Sequence, residues 1–376
     1  MDEPGPCTVR EAVFEDCEAA TELLRRLGLI MPEGRDAVRA HWDRLWRTNP
    51  AMLESRPKPA LGWVLEDGGR MVGFFGNVPL LYDLGGRAVM VADASQWGVE
   101  KAYRHHTPRL ADAYFDQVNA DLLLVTTAIK PTGRLFESRG AVRVPQPDYD
   151  RVLYWVVEPF GFARAALRKK GVPAPLAQAG AAVAGPALGA AVALGGRRPG
   201  RRGAHVVRMT PSELNDEFDA LWQRVRDETP CLLARRDAQS LKWWLGAPAL
   251  RDRARLLAYR RGGLGGYAIV VRDDAPAIGL KRLKIADMFV AGGSAAVIDA
   301  LLAEAFALAR EEGYHVLELV GLPRSLRSRA RALRPYSRPM PVWPLYYKTV
   351  DGALAQALSR EEAWYVTAYD GDTLLV

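Results

Sequence analysis

The sequence predicts an α/β protein made of two tandem copies of one mixed-sheet unit. Its 376 residues exceed the roughly 250–300 at which a single hydrophobic core stops growing, so two domains are expected. Four sequence landmarks recur in the same order at separations of 194 to 198 positions. In both copies strands alternate with helical segments, which is typical of mixed α/β sheets. We therefore interpret the chain as an internal duplication.

The first landmark is a pair of tryptophans followed by a proline. Trp42 and Trp46 precede Pro50, and Trp243-Trp244 precede Pro248, with 198 positions between the two prolines. Exposed tryptophans can stack on nucleic-acid bases. Their helical spacing here favours packing inside the protein instead.

The second landmark is a strand, a glycine-containing turn and another strand, a pattern that predicts a β-hairpin. These segments are Gly62–Leu65, Asp67–Gly69 and Met71–Val78 in the first copy, and Leu256–Tyr259, Arg261–Gly263 and Gly265–Val271 in the second.

The third and fourth landmarks are a strand that carries an aspartate and, beyond a helix, a closing strand with an apolar pattern. Asp93 and Asp287 occupy equivalent places, 194 positions apart, and Leu123 and Leu317 have the same separation. The segments are Val91–Asp93, helix Arg109–Val118 and strand Leu122–Thr126 in the first copy, and Ile285–Asp287, helix Ser294–Glu311 and strand Val316–Val320 in the second.

These landmarks place the first domain at residues 8–158 and the second at 205–376, with an Ala/Gly-rich connector at 159–204. Within the connector, residues 176–194 are uncharged and approach the length of a membrane span. Alanine and glycine add little transfer energy, and Pro186 interrupts the segment. We therefore expect a connector or short helical hairpin packed between the domains, and no membrane partner.

The net charge of +7 and the pI of about 9.3 suit an acidic partner, such as nucleic acid, a carrier protein or a phosphorylated substrate. Only nine of the 51 basic residues are lysine, so the excess of arginine also fits coding bias. The three cysteines form no CxxC pair, and no histidine has zinc-ligand spacing. We expect no disulfide and no metal. With an acidic start that lacks an apolar run, the predicted location is cytoplasmic.

The order of elements resembles the GNAT (acyl-CoA N-acyltransferase) fold, and two segments support the likeness. Lys130–Ala141 is similar to the GNAT segment that follows the closing strand, and Trp364–Thr367 with Asp370–Thr373 is similar to the end of tandem GNAT proteins. The resemblance implies two tandem GNAT-like domains with splayed central strands. It also implies that a pantetheine arm lies along Val91–Val99, and that its phosphates lie near residues 104–109.

The implied phosphate loop departs from the family's glycine pattern. It reads Arg104-His105-His106-Thr107-Pro108-Arg109, with Thr107 and Arg109 where glycine-type residues let the backbone approach a pyrophosphate. Two donors stay open. One lacks a pyrophosphate, either the phosphopantetheine of an acyl carrier protein or an aminoacyl-tRNA. The other is acyl-CoA bound through a rearranged loop. The donor-binding candidates are Val99, Arg104, Thr107, Arg109 and Lys130.

The catalytic candidates are Asp93, Glu100, His105 and His106. Attack by an amine on a thioester needs a group that accepts the amine proton, and either carboxylate or either imidazole provides one. The family's usual acid, a tyrosine, would fall near Phe136, which has no proton to give. Because Asp287 repeats Asp93, a structural role for both aspartates stays open.

Three functions follow from the resemblance. The first is an N-acyltransferase that moves an acyl group from a pantetheine thioester to an amine of a small molecule, as a step of biosynthetic tailoring. The second is a Fem-like transferase that uses aminoacyl-tRNA. The third is a non-catalytic tandem module. We expect one active site, formed mainly by the first half, with the acceptor bound between the halves.

Overall fold

The computed structural model describes residues 7–128, 130–146, 148, 151–200, 203–340 and 345–374, and only the backbone of Lys130 and Thr373. It confirms the α/β class and the mixed sheets. The elements of the first copy, in chain order, are β1 (Thr8–Glu11), α1 (Cys17–Arg26), α2 (Arg35–Trp46), α3 (Pro50–Glu54), β2 (Gly62–Asp67), β3 (Arg70–Leu84), β4 (Arg87–Val99), α4 (Thr107–Phe115), β5 (Leu122–Val125), α5 (Lys130–Glu137), β6 (Val142–Arg143) and β7 (Arg151–Val156).

The second copy follows a connecting pair of helices, α6 (Pro159–Lys169) and α7 (Ala174–Leu194), and repeats most of this order. Its elements are β8 (Val206–Met209), α8 (Asp216–Glu228), β9 (Leu232–Ala234), α9 (Ala238–Leu245), β10 (Ala254–Arg260), β11 (Leu264–Arg272), β12 (Arg282–Val290), α10 (Ala295–Glu311), β13 (Val316–Leu319), α11 (Arg324–Ala332), β14 (Tyr336–Pro339), β15 (Tyr346–Lys348) and α12 (Gly352–Ala357).

The tryptophans of the first landmark pack inside the protein, as their spacing predicts. Trp42 and Trp46 are buried on α2, with ring centroids 4.3 Å apart, and Trp42 packs edge-on against Phe74 of β3. Trp244 of α9 is buried beside Tyr369.

The predicted hairpins are present, but β3 and β4 extend far beyond the predicted strands. They form one hairpin, joined at Gly85 and Gly86, whose φ angles of 60° and 89° suit the left-handed turn that twisted strands need. The far end of β3 also pairs with β9, a strand of the second copy.

The two copies exchange their last strands. The first sheet has the order β1-β2-β3-β4-β5-β15-β6, and the second has the order β14-β7-β13-β12-β11-β10-β8. Thus β15 lies between β5 and β6, with Tyr347 opposite Leu124, and β7 lies between β13 and β14, with Trp155 opposite Leu317. The sheets therefore do not divide at the predicted boundaries of 158 and 205, because each sheet is completed by a strand from the other half.

The connector forms a helical hairpin of α6 and α7. Glu158 begins α6 by accepting hydrogen bonds from the backbone N–H groups of Phe160 and Gly161. The small residues of α7 allow close packing on α6, since a Cβ at Gly185 would lie 3.1 Å from Phe160 Cα. The outer face of α7 is exposed rather than packed between domains, and α7 is one described helix long and apolar enough to cross a membrane.

The largest hydrophobic core is shared by both copies. It runs from α1 and α2 across one face of the first sheet and into the second unit. A smaller core lies on the other face of the first sheet, beneath α4 and α5. The buried polar residues of the candidate site lie where this large core passes from the first sheet to the second.

Candidate active site

The central strands of the first sheet splay apart, as the resemblance implies. β4 and β5 pair in parallel over only three positions, the last of which joins Asp93 to Leu124. Beyond this point β5 ends at Val125, whereas β4 continues to Val99. The edge of β4 that faces away from β3 therefore borders a V-shaped slot, and Asp93 lies at its apex. The second sheet splays in the same way after Ile285 and Leu319.

A β-bulge lies on β4 inside this slot. Trp97 pairs with Phe75 and Ser95 with Gly76, so Gln96 between them has no partner on β3, and its φ is +49°. Bulges re-aim side chains next to functional sites. Gln96 Nε2 lies 3.0 Å from Nε2 of His41 on α2.

His41 stays neutral near physiological pH. Burial is the main reason that its pKa is lowered to about 4, and the nearby Arg44 lowers it further. A neutral ring nitrogen can accept a hydrogen bond from the Gln96 amide. Sequence reasoning missed both residues, because their contact joins positions 55 residues apart.

Asp93 is fully buried, and neither of its carboxyl oxygens has a hydrogen-bond partner among the described residues. Burial raises its pKa well above the usual range, and the nearby carboxyl groups of Asp372 and Asp370 raise it further. Burial therefore favours the protonated, neutral form of this group. A protonated acid held in an apolar environment can donate a proton, which is different from the resting base that the sequence suggested.

Asp287, the equivalent residue of the second copy, has a full set of partners. Its carboxylate accepts hydrogen bonds from Arg236 at 3.1 and 3.3 Å, from the Tyr267 hydroxyl at 2.9 Å and from Thr367 at 2.9 Å. Arg236, which is also fully buried, donates a further bond to Asp370 at 2.9 Å. Asp287 thus belongs to a structural ion-pair network.

The C-terminal segment, defined as residues 367–374, contacts the first unit beside the apex of the slot. Thr126, the first residue beyond β5, donates a hydrogen bond to Asp372 Oδ1 at 3.0 Å. Burial raises the pKa of Asp372, and the bond from Thr126 opposes that rise. Asp93 and Asp372 are therefore two neighbouring buried carboxyl groups in different surroundings. Sequence reasoning placed Asp372 in a family-like ending and assigned it no role.

Glu100 lies outside the slot, in an ion-pair cluster. It accepts hydrogen bonds from Arg70 at 2.8 Å and from Arg26 at 3.0 Å, and these cations hold its pKa below the usual range. A carboxylate so stabilised is a weak base. The expectation that Glu100 accepts the amine proton stays a prediction, which this ion-pair cluster does not favour.

The expected phosphate loop is a 3₁₀ helix, Lys101–His106, that runs directly into α4. The rings of His105 and His106 lie 4.1 Å apart, and the pKa of His106 is lowered by slight burial and by His105 and Arg109. Both imidazoles lie on this surface helix rather than at the apex beside Asp93, so their geometry favours anion binding over catalysis.

The donor-binding candidates are placed as follows. Arg104 and Arg109 are exposed, and Arg109 donates a bond to the backbone oxygen of Cys7 at 2.7 Å. Thr107 begins α4, and Pro108 removes one free N–H from that first turn. The Val99 side chain is buried, so only its backbone can meet a ligand. The side chain of Lys130 lies outside the described residues.

Pantetheine and pyrophosphate fit this site differently. The free edge of β4 presents backbone groups that can pair with the amides of a pantetheine arm. The loop has no glycine and includes Pro108, so it lacks the backbone cradle that a pyrophosphate requires. Phe136 is buried and stacks 5.6 Å from Trp97, and its own ring has no phenol proton to give.

Two mixed sheets with splayed central strands define a protein with the tandem GNAT fold. The chain is similar to a conserved protein from Enterococcus faecalis V583, a probable N-acyltransferase, with 10% identity and a TM-score of 0.57 over 92% of this chain and 72% of that one. It is also similar to a GCN5-related N-acetyltransferase from Kribbella flavida, with 12% identity and a TM-score of 0.58 over 94% of this chain and 73% of that one. A GCN5-related N-acetyltransferase from Anabaena variabilis ATCC 29413 is similar too, with 11% identity and a TM-score of 0.58 over 93% of this chain and 74% of that one. At these identities the likeness concerns the fold alone. The sequence matches no protein-family model and no curated protein.

Proposed function

We propose that this chain is an N-acyltransferase that binds a pantetheine thioester in the slot of the first unit and transfers its acyl group to an amine. The observation that carries the proposal is the buried, unpartnered carboxyl group of Asp93 at the apex of the splayed strands. The likeness to a probable N-acyltransferase and to two N-acetyltransferases supports the same reaction class. The predicted cytoplasmic location and a role in tailoring small molecules belong to this proposal.

Asp93 and Asp372 divide the proton transfers. The neutral amine attacks the thioester carbonyl carbon, the C–S bond breaks, and the amine proton passes to Asp372. The departing thiolate takes the proton of Asp93. A proton then moves from Asp372 to Asp93 and restores the starting state. Pairs of carboxyl groups whose surroundings separate their pKa values commonly divide the roles of acid and base.

The donor that we propose is acyl carrier protein or acyl-CoA, and the loop favours the first. A phosphopantetheine carries one phosphate, which the exposed Arg104 and Arg109 can meet without a glycine cradle. An acidic carrier surface would also be attracted to the basic chain. A lower KM for an acylated carrier protein than for acyl-CoA, and a stronger dependence of that KM on salt, are the expected results.

The experiment that tests the proposal measures release of free thiol from acetyl-CoA and from an acetylated carrier protein, with a panel of amines. Thiol release that depends on the amine supports it. If neither donor releases thiol with any amine, the proposed reaction is wrong. Salt-sensitive binding of tRNA, with no thiol release, would then favour the aminoacyl-tRNA-dependent transferase.

A further inference from the structure

A separate cavity of about 420 Å³ lies at the splay of the second sheet. Lys284, Ile285 and Ala286 of β12 form one wall, and Ala368 and Gly371 of the C-terminal segment form another. Thr126 and Thr127 of the first unit also contribute to the lining. Its volume lies within the roughly 300–1,000 Å³ that is usual for small-molecule sites. The cavity thus lies between the second unit and the residues beside the apex of the slot.

The interior of the cavity is mainly apolar. Val271, Ile285, Val320 and Leu374 are among the residues that line it. A ligand with an apolar body would be stabilised by leaving water for these walls. A purely polar ligand would lose hydrogen bonds to water without replacing them.

Positive charge is in excess at one side of the cavity. Arg253 and Lys284 line it together with Asp273, which pairs with both, and Arg253 Nη2 lies 3.6 Å from Asp273 Oδ1. Arg282 pairs with the same carboxylate at 3.2 Å. Burial opposes ionisation of Asp273, but Lys284 beside it holds its pKa below the usual range.

The next carboxylate does not cancel this excess. Glu318 lies 3.8 Å from Arg282, but it also accepts a hydrogen bond from Arg338 at 2.8 Å. The four cations therefore share two carboxylates. An anionic group of a ligand can therefore pair with these cations as a third carboxylate would. Hydrogen bonds between such an anion and Lys or Arg are charge-assisted and stronger than those between neutral groups.

The opposite side of the cavity leads to the proposed reaction centre. Thr126 lines the cavity and donates its hydrogen bond to Asp372. A ligand that spans the cavity from Lys284 to Thr126 would bring its far end next to a buried carboxyl group. An amine is the group best suited to that end.

We propose that this cavity binds an organic anion with an apolar body, and that the natural ligand is the acyl acceptor, an amine that carries a carboxylate. The carboxylate lies at Lys284 and Arg253, and the amine lies at Thr126. The identification of the ligand as acceptor rests on the proposed function, whereas the binding of the anion does not.

Calorimetric titration of the full chain, without any thioester, tests the binding. The probes are 4-phenylbutyrate and 4-phenylbutanol, which differ only in the charged group. The carboxylate is expected to bind about tenfold more tightly than the alcohol. Arg253→Gln and Lys284→Gln should each remove most of that difference without weakening the binding of the alcohol.

Arg255→Gln is the matched control. Arg255 is as exposed as Arg253, 43% against 42%, but it pairs with Glu312 and does not line the cavity. It should leave the affinities of both probes unchanged. Equal affinities for the two probes, no binding of either, or unchanged selectivity in both cavity variants would overturn the proposal.

Transfer assays separate this inference from the proposed function. 4-(2-Aminoethyl)benzoic acid and 2-phenylethylamine share an amine and differ by the carboxylate, which in the first compound lies at the far end of the apolar body. If the acceptor assignment is right, Lys284→Gln raises KM about tenfold for the first and leaves KM for the second unchanged. Selective binding of 4-phenylbutyrate with no transfer to any amine would contradict the proposed function and leave the anion site standing. Equal use of both amines would refute the acceptor assignment.

Discussion

Asp93 and Asp287 occupy the same position in the two halves of the chain, but among the described residues hydrogen-bond partners are found for Asp287 and not for Asp93. Asp287 accepts bonds from Arg236, Tyr267 and Thr367, whereas the oxygens of Asp93 meet no donor among the described residues. Asp93 is as buried as its counterpart but lacks hydrogen-bond partners among the described residues. It therefore lowers the stability of the fold, because a buried polar group without a hydrogen bond is unfavourable. This asymmetry is the basis on which we propose that the first unit carries the chemistry and that Asp287 has a structural role.

Replacing Asp93 by Asn should abolish transfer without weakening the fold. The amide has the shape of the protonated acid but donates no proton to the thiolate, so kcat should fall about 100-fold or more. The midpoint of thermal unfolding should stay the same or rise. Steady-state kinetics and thermal denaturation check this, and a variant with normal kcat would refute the role of Asp93.

Replacing Asp287 by Asn, in contrast, should weaken the fold. It leaves the buried Arg236 with only Asp370 as a charged partner, and breaking a buried ion pair costs about 3–5 kcal/mol. Urea denaturation should show this loss in the free energy of unfolding. A loss of less than about 1 kcal/mol would show that Asp370 alone compensates Arg236.

The stability of the wild-type chain should fall, relative to Asp93→Asn, as pH rises above about 4. Below the unfolded-state pKa of about 3.9 both states hold the Asp93 proton, so the carboxyl group has no pH-dependent effect. Above it the unfolded chain releases the proton while the folded chain keeps it, because burial raises the pKa of Asp93. Urea denaturation of both proteins from pH 4 to pH 8 measures the difference. A constant difference over this range would mean that Asp93 ionises normally in the folded state.

Glu100→Gln should leave kcat unchanged. Its partners Arg26 and Arg70 are about half exposed, and such surface ion pairs contribute roughly 0–1 kcal/mol. Measuring kcat and the midpoint of thermal unfolding for Glu100→Gln and for Asp93→Asn side by side compares the two carboxylates that the sequence suggested as bases. A large loss of kcat in Glu100→Gln alone would restore Glu100 as the base.

Local patterns explain how much of the fold the sequence could predict. The aspartate in Val91–Asp93 and the tryptophans before Pro50 recur in the second half at a nearly constant distance, so the duplication is visible without any structure. Strand β7 is different. Its apolar pattern is the same whether it pairs in its own sheet or in the other one, so the exchange leaves no local signal.

The candidate site could be predicted only in part, for the same physical reason. Asp93 is visible because a carboxylate inside an apolar strand must be neutral, paired or functional. Its setting depends on contacts of long range, such as the bond from Thr126 to Asp372 across 246 positions and the pair of Arg236 with Asp370 across 134. Glu100 is conspicuous in the sequence, but it pairs with Arg26 at the end of α1 and with Arg70 at the start of β3.

The exchanged strands predict that neither half folds alone. Residues 1–200 lack β15, so β5 and β6 would expose unpaired edges, and residues 203–376 lack β7 between β13 and β14. Expressed separately, each half should aggregate or lack cooperative thermal unfolding. Expressed together, they should form a soluble 1:1 complex, because the shared core and both strands are then present. Size-exclusion chromatography and circular dichroism distinguish the outcomes. A soluble, cooperatively unfolding half of either kind would show that the exchange is dispensable, and the first unit could then be assayed for thiol release by itself.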